Sequence, residues 1–381
     1  MKQYGYGHQS ISESDINAVI KAMRSDFLTQ GPLVVEFEEA LCRYTGAKYA
    51  VVVANGTVAL HLAMLVLGVG SGDEVITSPN TFLASANCVI YVGGEPRFAD
   101  IDCLTANIDP QDVERRVTSR TRAIIPVHFA GQSCDMAAIQ GIARKYNLRV
   151  VEDAAHAIGS DYNGVKVGSC RYSDLTTFSF HPVKTITSGE GGAIMTNDVD
   201  LYERLKVLRS HGMTKSPEWL QKDVGQWYYE MQLLGYNGRL TDIQSALGIS
   251  QLKRIDKFKS KRRKVVDLYR LLLGGDSRFL FLEEGIYSDA CFHLCPLLVN
   301  FGEVRKTKRE IFSELSLFGI NLQVHYIPVH TQPFYKKYGY KLGDFPLSEE
   351  YYEKTMSLPL YNDLTTSDIK YIVKKIKEVV K

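Results

Sequence analysis

The first two-thirds of the chain alternate short apolar runs with segments of helical periodicity. Tyr49–Val53 and Glu74–Thr77 are typical of the apolar runs, and residues 58–67 are typical of the helical segments. Strands that alternate with helices pair mostly in parallel, and the helices cover both faces of the sheet. The pattern therefore predicts an α/β fold with a mostly parallel central sheet. Further strands are predicted at residues 97–99, 123–127, 149–151, 176–180 and 193–195.

The alternation stops near Thr241. From there to about residue 273 the periodicity predicts one long amphipathic helix, or two helices with a break near Ile255. We expect a large domain over residues 1–250 and a smaller carboxyl-terminal α+β domain over residues 251–381, joined by the long helix. The strands predicted for the small domain are residues 293–299 and 322–326, and its helices are residues 308–317 and 366–380.

The charge balance and the cysteine pattern argue against several classes of protein. The chain has 45 Lys+Arg against 43 Asp+Glu, and a net charge of +2 gives no field that would attract nucleic acid or an anionic membrane. The basic run at residues 257–264 has helical periodicity and is interpreted as a solvated helix face. No apolar stretch is long enough to span a bilayer, and the amino terminus lacks the apolar core of a secretion signal. Seven cysteines without Cys-x-x-Cys spacing predict free thiols, a cytoplasmic location and no metal site.

Lys184 lies in a polar, glycine-rich turn between two predicted strands. An amine held against apolar walls has a lowered pKa, and a neutral amine can attack a carbonyl group. Most lysines in such turns are simply exposed, so the neighbouring features decide between the two interpretations.

Asp153 ends a predicted strand and is followed by Ala154, Ala155 and His156. The two small residues allow a flat group to approach closely, and a buried carboxylate needs a cationic partner such as a protonated pyridine nitrogen. The alternative is an aspartate that caps the next helix, but a cap leaves the Ala-Ala-His sequence unexplained.

Two more strand ends complete a set of cofactor-binding features. The turn Asn55-Gly56-Thr57-Val58 opens a helix, whose free N–H groups and dipole can bind phosphate, and Ser179 offers a hydroxyl nearby. Phe82 follows another strand and could stack on a flat ring, although a phenylalanine at such a position is more often part of the core. A lysine, a buried carboxylate, a phosphate site and a stacking ring together match the needs of pyridoxal phosphate (PLP).

Several motifs in the chain are typical of one enzyme family. They are Phe178-Ser179-Phe180-His181-Pro182-Val183-Lys184 with Gly189-Glu190-Gly191-Gly192, Glu152-Asp153-Ala154-Ala155-His156, Arg209-Ser210-His211-Gly212, Gly235-Tyr236-Asn237-Gly238-Arg239-Leu240, Thr241-Asp242-Ile243-Gln244-Ser245-Ala246-Leu247-Gly248 and Gln323-Val324-His325-Tyr326. On these motifs the chain resembles, almost from end to end, the sugar aminotransferases of the DegT/DnrJ/EryC1/StrS family. Leu28-Thr29-Gln30-Gly31 and Val324-His325-Tyr326-Ile327-Pro328 further resemble members that act in the pseudaminic acid pathway.

The resemblance implies a fold-type-I PLP enzyme that works as a homodimer with both active sites at the interface. It implies that Lys184 forms the Schiff base with PLP, that Asp153 pairs with the pyridine nitrogen, and that His156 lies near the ring face or its 3′ oxygen. The residues implied to hold the phosphate are Gly56, Thr57 and Ser179, together with Asn237 of the other subunit. Val58 is also expected among the residues that bind the cofactor. Phe82 is implied to stack on the ring. The sugar-nucleotide site is implied to include His325 and Tyr326 across the interface, and Arg239 is also expected to bind the substrate.

The implied reaction transfers an amino group from L-glutamate to C4 of a UDP-linked 4-keto-6-deoxy-N-acetyl sugar, with Lys184 moving the proton as general base and acid. One alternative is amination at C3 or C4 of a keto sugar linked to a different nucleotide, dTDP or GDP. Another is a non-catalytic PLP-binding regulatory protein. The dehydratases of the family have histidine in place of the Schiff-base lysine, so Lys184 argues against that activity.

Overall fold

The computed structural model describes residues 2–222 and 224–381. Its strands are β1 Tyr4–Gly5, β2 Tyr49–Val53, β3 Glu74–Thr77, β4 Glu95–Phe98, β5 Thr121–Ile125, β6 Arg149–Asp153, β7 Asp161–Tyr162, β8 Val165–Lys166, β9 Leu175–Ser179, β10 Gly192–Thr196, β11 Met213–Thr214, β12 Glu230–Met231, β13 Phe279–Phe281, β14 Ser288–Asp289, β15 Cys295–Val299, β16 Ile320–Asn321 and β17 Thr355–Leu358. Its α-helices are α1 Glu13–Met23, α2 Pro32–Thr45, α3 Gly56–Val66, α4 Ala84–Tyr91, α5 Pro110–Arg116, α6 Met136–Tyr146, α7 Val199–Arg209, α8 Asp242–Leu252, α9 Ile255–Leu273, α10 Lys308–Leu317, α11 Pro346–Lys354 and α12 Thr366–Val379.

A seven-stranded sheet forms the centre of the larger part of the molecule, in the order β2-β10-β9-β6-β5-β3-β4. β10 runs antiparallel to its neighbours β2 and β9, and the other pairs are parallel. One face packs on helices α2 and α8 and the other on α3 and α7, which explains why the strands are continuous apolar runs. The α/β prediction with a mostly parallel sheet is therefore confirmed.

The parallel strands all end at the same edge of the sheet, which is where ligands bind in open α/β folds. Asp153 is the last residue of β6 and Ser179 is the last residue of β9. Helix α3 begins at Gly56, three residues after the end of β2. The topology thus brings together features that are far apart in the sequence.

The predicted long helix is two helices, α8 and α9, separated at Lys253 and Arg254. α8 begins with a capping box in which the Thr241 hydroxyl accepts from the backbone N–H of Gln244 at 3.2 Å. Of the two predictions, one long helix or two helices with a break near Ile255, the second is therefore confirmed.

The carboxyl-terminal part has a core of its own, built by α9, α10 and α12 on the sheet β13-β15-β17. The amino-terminal strand β1 pairs with β16, so the first residues of the chain also pack on this core. The helices predicted at residues 308–317 and 366–380 are present as α10 and α12. The domain division at residue 250 stays a prediction.

Two predictions for this region are wrong. Residues 322–326 do not form a strand, because the chain leaves β16 at Asn321 and places His325 and Tyr326 in a cleft rather than alternating across a sheet. The basic run is not uniformly solvated: Lys257, Lys261 and Lys264 are exposed, but Arg262 is buried. The Arg262 guanidinium instead donates to the carbonyl oxygens of residues 292, 293 and 360, each at 3.3 Å.

Within residues 2–222 and 224–381, no helix is both long enough and apolar enough to cross a bilayer. The same residues contain no group of three or more His, Cys, Asp or Glu side chains arranged to hold a metal ion.

Candidate active site

A cleft of about 870 Å³ opens at the carboxyl edge of the central sheet. Its lining comes from the turn at the start of α3, the segment between β3 and α4, the ends of β6 and β9, and the segment that follows β16. The predicted site residues that line it are Gly56, Thr57, Val58, Phe82, Asp153, His156, Ser179, Lys184, His325 and Tyr326. Arg239 and Asn237 are absent from the lining within the described part of the chain.

Lys184 extends from the loop after β9 into this cleft, and its side chain is only partly exposed. The loop folds back on itself, because the backbone N–H of Lys184 donates to the carbonyl oxygen of His181 at 2.9 Å. Burial lowers the pKa of the Lys184 amine from its ordinary value of 10.5 to about 8, and the charge of Asp153 partly opposes this shift. A substantial fraction of the amine is therefore neutral near physiological pH.

The Asp153 carboxylate is buried and held by two hydrogen bonds. One oxygen accepts from the Ser85 hydroxyl at 2.6 Å, and the other accepts from the backbone N–H of Ala155 at 3.1 Å. No cationic side chain of residues 2–222 or 224–381 forms an ion pair with it. A turn rather than a helix follows Asp153, so the helix-cap interpretation is wrong.

Ser85 is a site residue that the sequence did not reveal. It lies in the first turn of α4, it is fully buried, and its hydroxyl also meets that of Thr81 at 2.7 Å. The contact with Asp153 spans 68 residues, and nothing local in the sequence marks it.

The turn before α3 has the features of a phosphate site. Asn55 caps the helix, and its side-chain oxygen accepts from the backbone N–H of Val58 at 2.9 Å. The Val58 N–H is thus already engaged, but Val58 lines the cleft, and its contact with the cofactor stays a prediction. Gly56 and Thr57 carry the first N–H groups of the helix, which have no intrahelical acceptor. A side chain at Gly56 would place its Cβ 2.9 Å from the Cβ of Ser179, so only glycine allows this close approach.

His156 faces the cleft from the turn after β6. Its Nε2 shares a hydrogen bond of 3.0 Å with the Tyr326 hydroxyl, and the two rings are stacked with centroids 6.0 Å apart. Its Nδ1 is buried and has no partner in the described part of the chain. Burial, aided by the positive charge of Lys184, lowers the pKa of His156 well below its usual range, so the ring is neutral at physiological pH.

His293 is a second histidine beside the site that the sequence did not reveal. Its ring centroid lies 4.5 Å from that of His156, and it is buried. Burial and the nearby Lys184 charge lower its pKa well below the usual range. Both rings are therefore uncharged, and they add no positive charge beside Lys184.

His325 and Tyr326 lie in the same cleft, and in the same chain, as Lys184. The prediction that they reach this lysine from the other subunit is wrong. His325 donates or accepts a hydrogen bond of 2.8 Å with Ser357, and burial lowers its pKa to about 3. Phe82 is 57% exposed with its ring centroid 6.3 Å from that of Tyr326, so it lines the cleft and is not part of the core.

Glu152, next to Asp153, supports the strand from the opposite face. It accepts from the Thr176 hydroxyl at 2.9 Å and shares a hydrogen bond of 2.7 Å with His128 Nε2. The backbone N–H of Cys134 donates to the Nδ1 of His128 at 3.1 Å, so the His128 proton lies on Nε2 and is donated to Glu152. This buried pair fixes the end of β6 and, with it, the direction of Asp153.

The sequence pattern of the DegT/DnrJ/EryC1/StrS aminotransferase family matches residues 9–377. The chain belongs to this family. It is 40% identical over 372 residues to the UDP-4-amino-4,6-dideoxy-N-acetyl-beta-L-altrosamine transaminase of Campylobacter jejuni, covering 96% of this chain and 95% of the relative. Its structure is similar to that of Helicobacter pylori PseC, an aminotransferase involved in the biosynthesis of pseudoaminic acid. The TM-score is 0.92, with 34% identity, covering 100% of this chain and 99% of the other.

The family relationship also identifies the cofactor. The chain is similar to Spr1654 of Streptococcus pneumoniae solved in its PLP form, with a TM-score of 0.91 and 31% identity, covering 99% of this chain and 98% of the other. Aminotransferases of this family use PLP, and the chain is a PLP-dependent aminotransferase of fold type I. Membership of this family favours an enzyme over a non-catalytic PLP-binding regulatory protein.

The cleft of this DegT-family chain fits PLP on three independent observations. The buried Asp153 carboxylate lacks a cation, which a protonated pyridine nitrogen would supply. The start of α3, with its free N–H groups, lies against Ser179, because an ideal Cβ at Gly56 would be 3.3 Å from the Ser179 hydroxyl oxygen, and such a pairing suits a phosphate. The buried Nδ1 of His156 has no partner among the described residues, and a polar group on the ring would satisfy it.

Proposed function

We propose that this aminotransferase transfers the amino group of L-glutamate to C4 of a UDP-linked 4-keto-6-deoxy-N-acetyl sugar, as in the pathway to pseudaminic acid. The altrosamine transaminase of Campylobacter jejuni and the pseudoaminic acid aminotransferase of Helicobacter pylori, to which the chain is similar, support this choice of substrate. The observation that carries the reaction class is the Lys184 amine, whose pKa of about 8 leaves it able to accept and return a proton in the same cleft as an unpaired buried carboxylate.

Each residue has a distinct task in this proposal. Asp153 keeps a proton on the ring nitrogen of PLP, while Gly56, Thr57 and Ser179 bind its phosphate. Bound PLP supplies an electron sink that lowers the barrier to breaking a C–H bond. Lys184 Nζ removes the proton from Cα of glutamate and, in the second half of the reaction, delivers a proton to C4 of the sugar. Ser85 holds the Asp153 carboxylate in place.

His156 and Tyr326 shape the electrostatics beside Lys184. A neutral His156 adds no positive charge that would raise the cost of protonating Lys184 during the reaction. Its hydrogen bond with the Tyr326 hydroxyl fixes the direction of the ring, and the free Nδ1 would be available to a polar group of the bound cofactor. Phe82, which lines the cleft with its ring exposed, supplies a stacking surface.

We further propose that the enzyme is a cytoplasmic homodimer with shared active sites. Asn237 and Arg239 lie outside the cleft of their own chain, as residues that serve the partner's site would. The same part of the surface exposes the apolar side chains Trp227, Met231, Leu234 and Tyr236, each between 44% and 76% exposed. All seven cysteines are free thiols, in keeping with a reducing compartment.

A panel of 4-keto and 3-keto sugars linked to UDP, dTDP or GDP tests the substrate. With PLP and L-glutamate, mass spectrometry should detect amination of the UDP-linked 4-keto sugar. Amination of only a 3-keto sugar would disprove the C4 assignment. Amination of only dTDP- or GDP-linked sugars would show that the substrate carries one of those nucleotides and not UDP.

A further inference from the structure

Helix α9 carries a buried positive charge on Arg262. The side chain is 1% exposed, and in the described part of the chain no carboxylate pairs with it, whereas the adjacent Arg263 pairs with Glu284 at 2.8 Å. Burial lowers the pKa of the Arg262 guanidinium. A buried charge without a counter-ion is costly, and a neutral side chain of similar length would avoid that cost. The contacts of the guanidinium give the reason for an arginine at this position.

The acceptors of this guanidinium are backbone carbonyl groups in two segments that are far apart in the sequence. Nη1 of Arg262 donates at 3.3 Å to the carbonyl oxygens of residues 292, 293 and 360. Residues 292 and 293 precede β15, and residue 360 follows β17. Hydrogen bonds from a charged donor are stronger than those from a neutral one. Arg262 therefore ties both segments to α9 from inside the protein.

The segment before β15 leads to the cleft through His293. The backbone N–H of His293 donates to the carbonyl oxygen of Ala130 at 2.8 Å, and its ring centroid lies 4.5 Å from that of His156. His156 lines the cleft and shares its Nε2 hydrogen bond with the Tyr326 hydroxyl. One carbonyl group that Arg262 holds thus belongs to the residue that packs behind His156.

The segment after β17 leads to the cleft through Tyr6. The backbone N–H of Leu360 donates to the carbonyl oxygen of Tyr6 at 3.0 Å, and the Tyr6 ring centroid lies 4.8 Å from that of His325. Tyr6 and His325 both line the cleft. The His325 ring also packs edge-on against that of Tyr326, with centroids 4.9 Å apart. Arg262 is therefore connected to both histidines that contact Tyr326.

We propose that Arg262 is a positioning residue for the aminotransferase reaction, which holds His156 and His325 in place beside Lys184 through the two segments. The guanidinium itself does not line the cleft. Both histidines lie close enough to Lys184 for its charge to disfavour their protonation. A displaced ring therefore changes the surroundings of the amine that moves the proton. This role does not depend on which sugar accepts the amino group.

The first test is the half-reaction of the PLP-loaded enzyme with L-glutamate, followed by cofactor absorbance. We expect Arg262→Met to lower the rate constant at saturation roughly tenfold and to leave the half-saturating concentration of glutamate unchanged. Arg262→Lys keeps a charged donor and should lie between Arg262→Met and the unmodified enzyme. Leu315→Ala loosens the same core from α10 and removes no hydrogen bond to either segment, and Lys264→Met removes an exposed charge of α9. Both controls should keep the normal rate.

The second test measures the two histidines directly and needs no amino donor. Diethyl pyrocarbonate modifies accessible imidazoles, and mass spectrometry gives the rate at each histidine of the cofactor-free protein. Arg262→Met should raise the rates at His156 and His325 roughly 2- to 10-fold. The rate at His330, which is fully buried and lies outside both segments, should not change. His293→Ala should raise the rate at His156 alone, and this variant keeps the test possible if Arg262→Met does not fold.

The outcomes separate a positioning role from a merely structural one. An unchanged rate constant together with unchanged modification rates in Arg262→Met would overturn the proposal. An equal loss of rate in Leu315→Ala, or an equal acceleration at His330, would show a general loosening of the fold and would also overturn it. An unmodified enzyme that does not react with L-glutamate would remove the proposed donor, and the modification rates alone would then decide the role of Arg262.

Discussion

Replacing Lys184 by methionine should stabilise the cofactor-free protein at pH 7. The folded structure lowers the pKa of this amine from 10.5 to about 8, so the charged form is disfavoured by burial. The difference corresponds to at most about 3 kcal/mol at pH 7. Because the side chain is partly exposed to water in the cleft, we expect about 1 to 2 kcal/mol. Methionine has a similar length and no charge, so it avoids this cost.

The pH dependence of the gain follows from the sign of the shift. The pKa of Lys184 is lower in the folded protein than in the unfolded chain. The unfolded chain therefore binds more protons between about pH 8 and pH 10.5. As a result, the stability of the unmodified protein rises with pH in that window. The advantage of methionine is therefore complete below pH 8 and fades as the pH approaches 10.5.

Urea unfolding of both cofactor-free proteins at pH 7 and pH 10 measures this difference. Lys257→Met, at an exposed position of α9, is the matched control and should change little at either pH. A stabilisation by Lys184→Met that is equal at both pH values, or a loss of stability at pH 7, would refute the burial argument.

Three further variants test contacts around the cofactor site. Ser85→Ala removes the hydrogen bond of 2.6 Å to the Asp153 carboxylate and should lower kcat about tenfold. Circular dichroism should show that the variant keeps the fold. An unchanged kcat would mean that the carboxylate needs no such support. Tyr326→Phe leaves Nε2 of His156 without its partner at 3.0 Å and should lower kcat/KM about three- to tenfold, and an unaltered kcat/KM and pH profile would contradict this. Gly56→Ala places a Cβ 2.9 Å from the Cβ of Ser179 and should weaken PLP binding about tenfold, as measured by equilibrium dialysis. The control Gly141→Ala places its Cβ where no atom lies within 4 Å and should bind PLP normally. Equal PLP affinities of the two variants would refute the steric argument.

The sequence predicts correctly the position of those cleft residues whose surroundings are local. Asp153 and Ser179 end apolar strands, and Gly56 and Thr57 begin a helix directly after one, so the strand pattern alone places them at one edge of the sheet. The start of α8 at Thr241 likewise follows from a capping box formed by neighbouring residues, whereas the sequence left the break before Ile255 as one of two alternatives.

The predictions that failed depend on contacts between distant segments. Arg262 is buried because three carbonyl groups from far along the chain surround it. His325 and Tyr326 were assigned to the wrong subunit, because the sequence does not show which chain a loop residue serves. The sequence gives no sign of the role of Ser85, because its partner Asp153 lies 68 residues away.

The central claim is that Lys184 moves the proton between the amino donor and the sugar. The most direct measurement is a single turnover of the PLP-loaded Lys184→Ala enzyme with L-glutamate and the UDP-linked 4-keto sugar, with the amino sugar followed by mass spectrometry. Lys257→Ala serves as the control. We expect no amino sugar from Lys184→Ala and a normal yield from Lys257→Ala. Amino sugar formed by Lys184→Ala at the rate of the unmodified enzyme would contradict the assignment.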